Sequence, residues 1–264
     1  MSAADTSLLI RPLTEDLLSA LESDLPRMIG TRAVPGVSMA LIQDGEIVFH
    51  HACGVIDAVS AHPISPDTIF EVASLSKPVF AYAVLKLCEQ QVLNLDAPLV
   101  DYLPAVYTHD NPNIRLVTSG QNRTDHAADL ADDPRLCLIT GRRVLSHTSG
   151  LPNWRPARWS TDELPLALEL TPGERFSYSG EGYEYLQAVV EHLTQERLAD
   201  HMWRQVLEPL GMNDSSFVWR EQLESRYALG HDGSGRCTPK HRWPEANAAC
   251  TLHTTAEDFA KFII

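Results

Sequence analysis

Asp44-Gly45 separates two strand-like runs, Gly36 to Gln43 and Glu46 to Gly54, and it is the kind of dipeptide that a two-residue hairpin turn with positive φ requires. The chain is committed near its start to an antiparallel hairpin, for which Val37, Met39, Leu41, Ile47 and Phe49 offer apolar cross-strand pairs. Helical patterns surround it. Leu17, Leu18, Leu21, Leu25 and Met28 recur at helical spacing after Thr14, a suitable N-cap, and predict an opening amphipathic helix. After Ser74 the pattern is mostly helical, with a polar interruption from Thr108 to Asp133 that reads as an insertion or long loop. Near the end, Thr255 to Asp258 resembles a capping box, and Phe259, Phe262 and Ile263 begin an amphipathic helix without a stop signal. With 264 residues at 44% hydrophobic, such a chain can bury a large core in one or two lobes.

Charge narrows the partners. Twenty-one basic against 35 acidic residues give −14, which opposes non-specific contact with nucleic acid or an anionic membrane, so neither is expected as a main partner. Cys53, Cys88, Cys137, Cys237 and Cys250 are odd in number, scattered and without C-x-x-C spacing, unlike a secreted disulfide framework. The segment Met1 to Ser7 has no basic region ahead of an apolar core, and no later run approaches membrane-spanning length. A cytoplasmic location is therefore expected. Asn122-Arg123-Thr124 fits the glycosylation pattern but reads as a polar loop in that setting.

Chemistry concentrates in Ser74-Leu75-Ser76-Lys77, an S-x-x-K quartet in which the serine can open a helix and the lysine returns one turn later beside its hydroxyl. A serine hydroxyl attacks poorly at neutral pH and needs an adjacent base as it bonds to an acyl carbon. A lysine, with a reference pKa of about 10.4, serves where its surroundings keep it partly neutral. About 0.3 such pairs are expected by chance from four lysines and the serine content, and the bland reading is an N-cap serine followed by a solvated lysine. Further along, Pro172 to Gly180 places Tyr178 in a loop before the apolar-periodic stretch through Tyr183, Leu186, Val189, Val190 and Leu193. A phenol beside a lysine and a serine can pass protons between nucleophile and leaving group; its bland counterpart is a packing tyrosine on a helix capped by Ser179.

Other chemistries are poorly supported. His50 and His51 are strand neighbours that point to opposite faces and make poor co-ligands, so no metal is expected. No G-x-S-x-G elbow accompanies His147, which is assigned a structural role in its turn, and no nucleotide-binding glycine loop occurs, so no cofactor is expected.

Taken together, these stretches resemble the serine β-lactamase and penicillin-recognising hydrolase superfamily, closest to its class C β-lactamase, esterase and D-aminopeptidase branch. Phe70 to Pro78 resembles the nucleophile motif, and Leu93 to Pro104 the segment after its helix. Leu145-Ser146-His147-Thr148-Ser149-Gly150-Leu151-Pro152, Tyr178-Ser179-Gly180, Pro209-Leu210-Gly211-Met212 and Thr254 to Ala260 follow in the family's order. The resemblance implies one α+β domain over 1–264, an antiparallel sheet flanked by helices with a mostly helical lobe at roughly 90–215. It implies Ser74 as nucleophile, Lys77 and Tyr178 managing its proton, and Ser179 and Gly180 on the substrate side. The Ser74 N–H would donate to the oxyanion. Because Lys77 and Tyr178 share one proton path, their titrations would couple, and the base is left unassigned between them.

Two departures bear on activity. Gly180 stands where the β-lactamase pattern Y-x-N has asparagine, which tilts the expectation from β-lactams toward small esters or amides. The family's third motif, K-T-G or H-x-G on a strand supplying a second oxyanion donor, should follow the helix beginning near Thr254, and the sequence ends at Ile264. One such donor is worth about 10² to 10³ in turnover. The expectation is thus a truncated product, a fragment or a degenerate member lacking C-terminal strands. A serine hydrolase of small esters or amides stands first, a catalytically impaired or non-enzymatic relative second, and a β-lactamase or D-amino-acid peptidase third. Oligomeric state is left open.

Overall fold

The structure is a computed structural model that describes residues 13–31, 34–57, 59–103, 133–154 and 166–264. The expected polar interruption, apart from Asp133, and the Asn122 pattern lie outside the described residues. Along the chain run α1 (Glu15–Thr31), β1 (Gly36–Gln43), β2 (Glu46–Gly54), β3 (Phe70–Glu71), α2 (Ser76–Glu89) and α3 (Leu99–Tyr102). Then follow α4 (Gly141–Leu145), α5 (Gly180–Thr194), α6 (Leu198–Met202), β4 (His253–Thr254) and α7 (Ala256–Ile263). Among the described residues, helices with two small antiparallel sheets make an α+β arrangement. Among the described residues no helix is long and apolar enough to cross a membrane.

Two compact units divide the chain, the first comprising Met1–Ile69, Arg226–Lys240 and Thr255–Ile264. Here the Thr14 hydroxyl accepts the Leu17 N–H at 3.3 Å and starts α1, as its sequence predicts. Asp44 at φ 54° and Gly45 at φ 80° form the tight turn between β1 and β2. Leu41 faces Phe49, Ile42 faces Ile47 after a bulge that shifts the register between Leu41 and Ile42, and Val37 faces Cys53, while Met39 meets His51 instead of an apolar partner. The pleat sends the two strand histidines to opposite sides: His51 reaches Glu22 of α1 at 3.3 Å and His50 reaches Glu257 of α7 at 3.6 Å. The hairpin is thereby flanked by a helix on each face. Thr255 caps α7 by accepting the Asp258 N–H at 3.1 Å.

The second unit comprises Phe70–Ser225 and His241–Thr254. Its core is built from α2, through Val79, Phe80, Ala83, Val84 and Leu87, and from α5, through Tyr183, Leu186, Val189 and Val190. Phe80 and Tyr183 meet with ring centroids 6.1 Å apart. Around them Leu99, Ile139, Leu151, Met202 and Leu207 are fully enclosed. The pairing of β3 with β4 sets Phe70 opposite Thr254 and Glu71 opposite His253, which anchors the entry to α2. Gly150 at φ 78° has the Leu170 carbonyl 2.3 Å from where a Cβ would stand, so only glycine lets the turn after His147 close.

Candidate active site

All the site residues predicted from sequence fall in the second unit. After β3 the chain turns sharply through Ala73, whose φ of 44° is left-handed, into a 3₁₀ turn over Ala73–Leu75. The expectation that Ser74 opens the helix gives way to a start at Ser76, and Ser76 supplies the reason. Its buried hydroxyl donates to the Ala73 carbonyl at 2.5 Å and accepts the Leu252 N–H at 2.9 Å, while Val72 N–H donates to the Leu252 carbonyl at 3.0 Å. Ser74 makes no helix cap and its side chain is exposed.

One turn on, Lys77 is 3% exposed and donates from Nζ to Ser74 Oγ at 3.2 Å and to the Ala249 carbonyl at 2.9 Å. The solvated-lysine reading fails on that burial. Three aromatic rings surround the ammonium, with centroids 4.7 Å (Tyr178), 5.6 Å (Tyr183) and 5.9 Å (Trp154) from Nζ. Tyr178 meets Lys77 through its ring face, and that face is the contact that joins it to the Ser74–Lys77 pair. The ring itself is 38% exposed.

His147 stacks on Tyr178 at 4.2 Å and 29°, and its Nδ1 accepts the Ser179 N–H at 3.1 Å. Burial first, then the Lys77 charge, push the His147 imidazole below its ordinary value, so it is neutral at neutral pH. Tyr183, enclosed and next to Tyr178, has its phenol pushed up to about 12 and stays protonated.

Ser179 is 1% exposed: its hydroxyl caps α5 by accepting the Gly182 N–H at 2.9 Å and donates to the Pro152 carbonyl at 2.8 Å. Gly180 N–H donates to the Asn153 carbonyl at 2.9 Å. A Cβ at Gly180 would stand 2.6 Å from two ring carbons of Trp154 and 2.7 Å from the Asn153 carbonyl. The space a side chain at position 180 would need is filled by indole. Ser179 and Gly180 thus shape the wall beside Tyr178 and hold it by backbone contacts.

Behind Lys77, residues 246–252 are tied to α5 by polar side chains. Gln187 Oε1 accepts the Ala248 N–H at 2.8 Å and its Nε2 donates to the Ala246 carbonyl at 3.0 Å, while Asn247 Nδ2 donates to Glu184. Asn247 Oδ1 accepts the Ala249 N–H at 2.8 Å and so orients the carbonyl that meets Lys77.

An exposed serine hydroxyl held by a buried lysine, beside a loop tyrosine, reproduces the order and setting of the motifs quoted above. The Beta-lactamase family model matches residues 13–264. The chain belongs to that family. Esterase EstB of Burkholderia gladioli is 30% identical over 241 residues, covering 82% of this chain and 55% of EstB. Protein flp of Staphylococcus aureus (strain MRSA252) is 25% identical over 267 residues, covering 95% and 49%. The chain spans about half the length of the curated relatives it matches. A solved class C beta-lactamase superposes with a TM-score of 0.74 at 19% identity, over 96% of this chain and 66% of its own. The fold is that of the β-lactamases and penicillin-binding proteins.

Several site residues escape sequence reasoning. The Ala249 carbonyl carries no side-chain identity to read, and Trp154 gives no signal beyond its place after Pro152. Glu184 and Gln187 share one face of α5 and bond the loop that serves Lys77, contacts that no local sequence pattern signals.

Proposed function

We propose that the chain carries the acyl-transfer site of a serine hydrolase acting on small esters or amides. One observation carries the reading: the Lys77 amine, buried, lies 3.2 Å from an exposed Ser74 hydroxyl that has no capping duty. In the reactive direction the hydroxyl proton passes to the Lys77–Tyr178 pair as Ser74 Oγ bonds to the carbonyl carbon. Tyr178, whose ring packs against that amine, would pass the proton on to the leaving alkoxide or amine, and water then releases the acyl group. The Ser74 N–H serves as oxyanion donor within this segment. Ser179 and Gly180 set the shape of the substrate side.

Esters or small amides are favoured over β-lactams because Gly180 offers no amide and Trp154 fills the space one would need. The relative at 30% identity carries the name esterase, which agrees. The test is hydrolysis of p-nitrophenyl acetate by the full chain beside its Ser74→Ala variant, with covalent labelling by a fluorophosphonate. Turnover and labelling that both vanish in the variant support the reading. Labelling without turnover marks a catalytically impaired relative, and labelling that survives the substitution removes Ser74 as nucleophile. Rapid opening of nitrocefin would move the substrate class to β-lactams.

A further inference from the structure

Three consecutive residues, Ser177, Tyr178 and Ser179, are gripped by one. The His147 carbonyl accepts the Ser177 N–H at 2.7 Å, its ring backs Tyr178 at 4.2 Å, and its Nδ1 accepts the Ser179 N–H at 3.1 Å. We propose that His147 is a positioning residue for Tyr178, competent only as the neutral imidazole with its proton on Nε2, and that its protonation releases the Tyr178 segment. The inference rests on the hydrolase reading only for its activity readout.

The tautomer follows from the bond. A ring nitrogen that accepts an N–H carries no proton, so the neutral ring holds its hydrogen on Nε2. In the imidazolium both nitrogens are donors, and the Nδ1–H would face the Ser179 N–H, turning an attraction into an opposition of two donors. Charge works in the same direction. From α2, Lys77 brings an ammonium to the same cluster; from the Pro172–Ser179 segment comes Tyr178, and from α5 Tyr183, with its centroid 5.3 Å away. On its own segment Arg142 is engaged by Asp96 and Arg143 reaches the Leu138 carbonyl. Burial and Lys77 both favour the neutral ring, so the grip holds at neutral pH and fails under acid. The same Tyr178 ring lies 4.7 Å from Lys77 Nζ, so a shift of this tyrosine moves the partner of the proton path.

Backbone conformation makes the two halves of the grip separable. His147 sits at φ 55°, which asparagine tolerates, and an asparagine oxygen can stand in for Nδ1 as acceptor. His147→Asn keeps the acceptor and removes the titrating ring; His147→Phe keeps a ring and removes the acceptor. In nitrogen-15 imidazole spectra of the wild-type chain, His147 should report the Nε2–H tautomer, and its titration should move the Ser179 amide and Tyr178 ring resonances together. With p-nitrophenyl acetate, His147→Phe should lower kcat about 100-fold with KM little changed, the size expected of a small misplacement. His147→Asn should recover about tenfold of that and move the acid limb of kcat to lower pH. An Nδ1–H tautomer, a titration that leaves the Ser179 amide and Tyr178 unmoved, or a folded His147→Phe with wild-type kcat would overturn the inference. The spectra need no turnover, so a wild-type chain that shows the linked titration but hydrolyses nothing would fail the hydrolase reading and leave the positioning role standing.

Discussion

Ser74 and Ser179 both stand just ahead of a helix, and only one of them is occupied by it. Ser179 is buried, caps α5 and is bonded again to the Pro152 carbonyl; Ser74 caps nothing, is exposed, and among the described residues its hydroxyl is bonded by the Lys77 amine. Chemistry is available to the hydroxyl that the backbone does not use. The N-cap reading of an S-x-x-K quartet is settled by this contrast, because at Ser74 the neighbouring Ser76 has taken over the local bonding.

The largest expected effect tests the contrast directly. Ser74→Ala should abolish hydrolysis, by at least about 10³-fold, with little change in denaturation midpoint. Ser179→Ala should instead cost about 1 to 3 kcal/mol of stability, from the lost cap and the Pro152 carbonyl left without its donor. Urea unfolding read beside ester hydrolysis separates them, and the contrast breaks if Ser179→Ala loses activity while unfolding at the wild-type midpoint.

Next to Ser179, Gly180→Asn would restore the side chain of the β-lactamase pattern and should fail to restore its function. Its Cβ meets Trp154 carbons at 2.6 Å, and overpacking of that kind costs about 1 to 3 kcal/mol. Adding Trp154→Ala should recover part of this, though the Asn153 carbonyl at 2.7 Å remains in the way. A Gly180→Asn protein as stable as wild type would mean that the Ser179 side is not packed tightly against Trp154.

Acid should damage that framework before it touches Ser74. His147, His201 and His253 are all held below the ordinary imidazole value, in each case chiefly by burial. Between about pH 6.5 and the lower folded values the unfolded chain binds more protons than the folded one, so stability rises with pH across that window. It is fully present above about 6.5 and is lost as pH falls through the folded values. Thermal unfolding from pH 7.5 to 5 should show this loss, and His147→Asn should reduce it; a flat profile would contradict the neutral, buried assignment.

What the sequence makes legible is what neighbouring residues decide between themselves. Asp44-Gly45 needs only its own φ angles, Thr14 and Thr255 only the amides three residues on, and the stripe through Tyr183, Leu186, Val189 and Val190 only its period. Ser74 and Lys77 are legible for the same reason, lying within one turn. The remainder depends on contacts across long separations. Ala249 meets Lys77 from 172 positions away and Gln187 holds Ala248 from 61, where no local pattern can signal which surface a polar residue will find. His147 was legible as a turn residue, but its hold on Tyr178 spans the stretch between two motifs.

The smallest effect probes the strain placed beside Ser74. Ala73 is left-handed at φ 44°, a conformation that costs an alanine about 1 to 2 kcal/mol, whereas no such backbone demand falls on Ser179 at φ −132°. Ala73→Gly removes that penalty but adds about 0.5 to 1 kcal/mol of chain entropy to be lost on folding, leaving a net gain of about 0 to 1.5 kcal/mol. The turn that aims Ser74 would then lose the left-handed restriction at its first residue and rely on its hydrogen bonds, among them those of Ser76, Leu252 and Leu75. Strain of this kind is kept at sites where it serves geometry, so ester hydrolysis should fall several-fold while the urea midpoint rises slightly. If stability falls instead, Ala73 is not strained in the folded chain, and the difference between the two serines lies wholly in their hydrogen bonds.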